Sequence, residues 1–111
     1  MESKNGQFAW DYSESSDIFN IHKKNRLTSG SAELGDFTLD FDSAGNIVGL
    51  EIMNAADFMN QIELGNQFKH LQGAELIIKQ ERNVTYVLLK ITLANAIEHV
   101  IPIPAPVMVG V

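Results

Sequence analysis

Apolar and polar positions alternate with period two along most of the chain, and the alternation breaks once, over residues 54–72. Period two is the side-chain repeat of a β-strand, whereas a repeat near 3.6 belongs to a helix. Phe8, Trp10 and Tyr12 alternate with Ala9 and Asp11, which predicts a first strand. A polar turn over 13–16 leads to a short second strand over 17–22, with Phe19 and Ile21 on one face and Ile18 on the other. Residues 25–32 are polar, contain Gly30 and predict a loop. A third strand is expected over 34–42, with Phe37, Leu39 and Phe41 facing a core. Asp36, Thr38, Asp40 and Asp42 would face water, the pattern of an antiparallel strand with one wet side. Asp42-Ser43-Ala44-Gly45 supplies a turn, and a fourth strand follows over 46–53 with Val48, Leu50 and Ile52 inward. In this hairpin Asp40 and Asp42 are expected to be exposed.

Within 54–72, Ala55, Phe58, Met59 and Ile62 recur at helical spacing. Asn54 occupies the N-cap position, and Asp57 three residues later resembles a capping box. Gly65-Asn66 threatens the helix and Gly73 ends the region. Strands return afterwards. Leu76 and Ile78 alternate with Glu75, Ile77 and Lys79, and Glu81-Arg82-Asn83 reads as a tight turn. The next strand, 84–94, is apolar on both faces: Val87, Leu89, Ile91 and Leu93 on one, Tyr86 and Leu88 beside Lys90 on the other. A last strand over 97–103 carries Pro102, which cannot donate to a ladder, so it belongs at an edge.

The pattern predicts an α+β fold, mainly antiparallel β-sheet of about seven strands, with one short helix between strands four and five. One domain covers residues 1–111: a disordered lead-in over 1–6, a four-stranded meander over 7–53, a helical segment over 54–72, a three-stranded meander over 73–104 and an extended tail over 105–111.

Composition narrows the function classes. A net charge of −6 with 20% charged residues lacks the basic footprint of a nucleic-acid-binding domain. The one basic cluster, His22-Lys23-Lys24-Asn25-Arg26, reads as a solvated hairpin end. With no cysteine, disulfides and thiolate metal sites are excluded. No apolar run reaches the roughly 20 residues that span a bilayer, and residues 1–5 lack a signal-peptide core. The expected setting is the cytoplasm, with no nucleic acid, membrane or cofactor as partner.

One stretch imitates a metal site. Asp40, Asp42, Gly45, Ile47 and Glu51 fall at positions 1, 3, 6, 8 and 12 of a twelve-residue frame, as in a calcium-binding EF-hand loop. Position 5, usually a ligand, is Ala44, the preceding residues alternate as a strand, and no second copy exists. The hairpin accounts for the same spacing, with Asp40, Asp42 and Glu51 as solubilising charges. His22, His70 and His99 are far apart, and no glycine-rich phosphate loop or nucleophile elbow is present. No catalytic residue emerges.

Phe41-Asp42-Ser43-Ala44-Gly45-Asn46-Ile47-Val48-Gly49-Leu50-Glu51-Ile52, followed by Asn54-Ala55, resembles the signature hairpin of a small prokaryotic (archaeal and bacterial) family of domains of unknown function. Tyr12, Asp17, Ile18, Phe19 and Ile21 fit the upstream part of that pattern, while Ser13 and Asn20 depart from it. The resemblance covers roughly residues 8–60. It implies a compact β-rich domain followed by a helical segment, and no reaction.

The leading expectation is a non-enzymatic module that self-associates, as a homodimer, through its C-terminal strands, because a strand apolar on both faces needs a second cover. A small-ligand or calcium-binding module built on Asp40, Asp42 and Glu51 is the alternative, and an enzyme with an unrecognised site is the third.

Overall fold

The computed structural model describes residues 6–103 and 107–108. The chain runs through β1 (Phe8–Ser13), β2 (Ile18–Lys23), β3 (Gly30–Leu34), β4 (Phe37–Phe41) and β5 (Ile47–Met53). Helix α1 (Ala55–Gln61) and a 3-10 turn (Gly65–Lys69) follow, then β6 (Gly73–Glu81), β7 (Val84–Thr92), β8 (Glu98–Pro102) and the two-residue β9 (Val107–Met108). The fold is mainly antiparallel sheet with one short helix, as the alternation predicts.

The expected strand count and helix position need correction. Eight strands have five or more residues and β9 makes a ninth, so α1 follows strand five rather than strand four. The extra strand arises where the sequence reads as a loop and one long strand. Gly35, at φ 64°, and Asp36 form a two-residue hairpin connection, so that β3 folds back on β4 with Leu34 opposite Phe37. Strand order also departs from a simple meander: the first sheet runs β1-β2-β5-β4-β3, with β5 in the centre. The second sheet runs β6-β7-β8, and β9 pairs with the far end of β7. The proline-bearing β8 sits at an edge, as expected. The expected lead-in and tail lie outside the described residues, apart from residue 6 and the paired Val107–Met108.

The inner faces of both sheets and the helical segment build one core. Phe8, Trp10, Phe19, Ile21, Leu39, Leu50 and Ile52 come from the first sheet. Ala74, Leu76, Val87, Leu89, Ile91 and Ile101 come from the second, and Met59, Leu64 and Phe68 from the connection between them. Burial of each large apolar side chain stabilises by about 1.5–3 kcal/mol, which is why parity is held so strictly along these strands. Phe37 and Phe41 are half-buried against this core, and Asp40 and Asp42 are half-buried rather than fully exposed.

The β4–β5 ladder slips at one point: Asp40 pairs with Gly49 but Phe41 pairs with Ile47, a bulge that leaves Val48 over. Ile47 therefore packs against the core, while Val48 is buried outside the main cluster. Alternation alone puts Val48 in line with Leu50, and the extra residue moves it out of line.

Helix α1 is also capped otherwise than expected. Asn54 is left-handed, at φ 52°, makes no side-chain cap, and donates instead to Asp36 Oδ1 at 3.2 Å. The first free helical N–H groups are taken by Asp17, which accepts Ala56 N at Oδ1 (3.0 Å) and Ala55 N at its backbone oxygen (3.1 Å).

Candidate functional site

The three carboxylates that imitate a calcium loop are placed by a hairpin. Asp42 organises the turn between β4 and β5: Oδ1 accepts the N–H groups of Ala44 (3.0 Å) and Asn46 (2.9 Å), and Oδ2 accepts Asn46 Nδ2 (3.3 Å). The Asn46 backbone N–H, helped by the Asn46 side chain, the Ala44 N–H and the charge of Arg26, holds this carboxyl below its ordinary range, against an opposing effect of burial. Asp40 accepts the Ser31 hydroxyl at 2.7 Å and stands opposite Gly49. Glu51 lies two positions further along β5, opposite Thr38 and Asn20. Asp40 and Glu51 thus share the outer face of the first sheet, whereas Asp42 sits beyond the bulge. Among the described residues no group of three or more His, Cys, Asp or Glu is arranged to hold a metal ion.

Gly49 gives this face its shape. A Cβ there would lie 2.8 Å from His22 Cδ2, 2.9 Å from Asp40 Oδ2 and 3.3 Å from the Ile21 carbonyl oxygen. His22 and Asp40 therefore close over Gly49, and a side chain there would force them to shift. His22 is itself held, with Nδ1 donating to the Lys23 carbonyl at 2.8 Å and Nε2 bonded to the Thr28 hydroxyl at 3.0 Å.

A second polar constellation joins distant parts of the chain. The Tyr12 hydroxyl donates to Asp17 Oδ1 at 2.7 Å, the same oxygen that caps α1. The Tyr12 ring meets Phe68 edge-on at 4.7 Å, and Lys69 Nζ lies 5.7 Å from its centre. The hydrogen bond to Asp17, then burial, then the negative charges of Asp17 and Glu14 push the phenol up from 10.0 to about 12.

An apolar surface lies elsewhere, on the outer face of the second sheet. Ile77, Leu88 and Pro102 stand in one register row across β6, β7 and β8. Tyr86 is 44% exposed and Val100 53% exposed on the same face. An ion-pair row borders it: Lys90 Nζ lies 3.4 Å from Glu75 and 3.3 Å from Glu98. These bonds and charges, Glu98 first, raise the Lys90 pKa.

Residues 10–55 match a family described as "Protein of unknown function (DUF2283)". The resemblance read from the hairpin and the Tyr12–Asp17 segment is to such a family. An uncharacterized protein of the archaeon Methanocaldococcus jannaschii is 26% identical over 91 residues, which is 82% of this chain and 78% of that protein. No solved structure matches. The matched segment holds the whole first sheet apart from the beginning of β1, and it closes on Ala55, whose N–H bonds to Asp17.

The signature residues therefore have structural roles. Asp17 ties β2 to α1, Tyr12 holds Asp17, Gly49 admits His22 and Asp40, and Asp42 shapes the turn. Sequence reading found the residues of the hairpin but missed the Asp17 cap, because its donor lies 39 positions away. No helix among the described residues is long and apolar enough to cross a membrane.

Proposed function

We propose that this protein is a non-enzymatic module that self-associates through the outer face of its second sheet. The observation that carries the reading is the row Ile77–Leu88–Pro102, flanked by Tyr86 and Val100. A sheet that already packs one face into a core has no structural need for a second apolar face, and a symmetric copy is the commonest cover for one. Lys90, Glu75 and Glu98 border the patch on one side with polar groups, as at the margin of a protein interface. The signature residues support the same reading from the other side, since each is engaged in holding the fold.

Light scattering coupled to size exclusion tests the proposal. The wild type is expected to elute as a dimer at micromolar concentration. Leu88→Lys, which sets a charge in the middle of the row, should give a monomer with an unchanged circular dichroism spectrum. A wild type that stays monomeric at hundreds of micromolar would remove the proposal.

A further inference from the structure

The second sheet does not exhaust the surfaces that lack a partner. Strand β3 ends the first sheet and, among the described strands, pairs only with β4. Its two-residue hairpin makes Leu34 and Phe37 a hydrogen-bonded pair, so Ala32 also bonds to β4 while Ser31 and Glu33 direct their N–H and C=O groups outward. Of the other edges, β1 and β6 lie against each other over part of their length, and β8 carries Pro102. Strand β3 has no proline, and no other strand among the described residues pairs with its outer edge.

The two flanks of that edge differ chemically. On the inner side Leu34 is 39% exposed beside the half-buried Ala32. On the outer side stand Glu33 and the Ser31–Asp40 pair, with Glu51 further across the sheet. Along the sequence the charge here is one-sided. From residue 27 to residue 68 the chain has no Lys or Arg; all eight lie elsewhere, while half of the fourteen acids fall inside that span. The pairs Lys69–Glu14, Lys90–Glu75 and Lys90–Glu98 engage acids outside that span, and Arg26, at its border, acts on Asp42.

We infer that β3 is a docking edge for an extended segment of another protein in which Lys or Arg alternates with apolar residues. Strand addition supplies the affinity through the outward backbone groups of Ser31 and Glu33, and alternate side chains supply the specificity. Cationic side chains of the incoming strand fall beside Ser31 and Glu33, with Asp40 one strand further in, and its apolar ones fall beside Ala32 and Leu34, at the spacing of cross-strand neighbours. A second copy of β3 fits badly, because it would set acidic face beside acidic face. This edge is separate from the proposed dimer face, so either can fail without the other.

Two peptides of roughly seven residues, about the length of a strand, make the test: alternating Lys-Val, and an isomer with the lysines and valines grouped. Each is titrated into 15N-labelled protein. The alternating peptide should shift the amides of Ser31 and Glu33 and their β3 neighbours, and bind about tenfold more tightly than the grouped isomer. Glu33→Pro removes an outward donor without touching the β4 ladder, and should weaken binding about tenfold. N-methylating alternate peptide amides should do the same on unaltered protein, which keeps the test sound if the proline variant misfolds. Equal binding of the grouped isomer would show bulk charge alone and overturn the inference. So would shifts confined to another surface, shifts of β3 amides on concentrating the free protein, or no binding at millimolar peptide.

Discussion

Gly49 and Asp17 show how single residues carry this fold. At Gly49 a methyl group would press on the His22 ring, the Asp40 carboxylate and the Ile21 carbonyl, and the last cannot swing away. Gly49→Ala should destabilise by about 1–3 kcal/mol, the usual range for an overpacked site, measured by urea denaturation. Asp17→Ala removes the acceptor of both Tyr12 and Ala56 and should lose about 1–2 kcal/mol, as for other lost caps. Asp17→Asn should lose less in the same assay, since it keeps one acceptor oxygen and tolerates the φ of 55° found there. Tyr12 ties stability to alkaline pH. Its folded pKa, about 12, lies above the ordinary 10.0, so its contribution is complete below pH 10 and is lost as pH rises through 12. The melting temperature should fall across that window, and Tyr12→Phe should flatten the fall. At this scale the sequence was most legible where a residue answers to its immediate neighbours. Leu39, Leu50 and Ile52 follow parity into the core, and Asp42 follows turn chemistry. Asp17 answers to a helix that begins far along the chain, and no local pattern carries that.

Elements were legible wherever their period ran unbroken. The β6–β7 hairpin, the double-faced β7 and the edge position of β8 all follow from alternation and proline placement. Two short interruptions hid the rest. Gly35-Asp36 splits an apparent long strand in two, and the bulge beside Asp40 shifts parity by one residue. Helix α1 is shorter than its apolar stripe because Glu63 and Gly65 are left-handed, at φ 64° and 54°, and turn the chain into the 3-10 segment. The β6–β7 connection shows a local conflict of the same kind, with Arg82 at φ 57°. Arg82→Gly should raise stability by up to about 1 kcal/mol, the strain of a side chain in that region less the added backbone freedom, read as a higher melting temperature.

At the scale of the molecule, the two sheets and the helical segment share one core, so damage in either sheet should be felt by both. Phe19→Ala and Leu89→Ala should each lose about 2–5 kcal/mol. Each should also give a single unfolding transition, seen together by tryptophan fluorescence at Trp10 and by far-ultraviolet dichroism. The family match ends at residue 55, yet the apolar face of that segment is covered by residues that come later. This sets a schedule for synthesis. The first sheet is complete once residue 53 has left the ribosome, but Leu76, Val87 and Leu89, which cover it, are still to be made. At about 5–20 residues per second the nascent chain carries an open apolar sheet for seconds. A ribosome stalled in that interval holds a sticky half-protein. Synonymous codon changes that slow translation between residues 54 and 90 should therefore lower the soluble yield, with no change in the protein they encode.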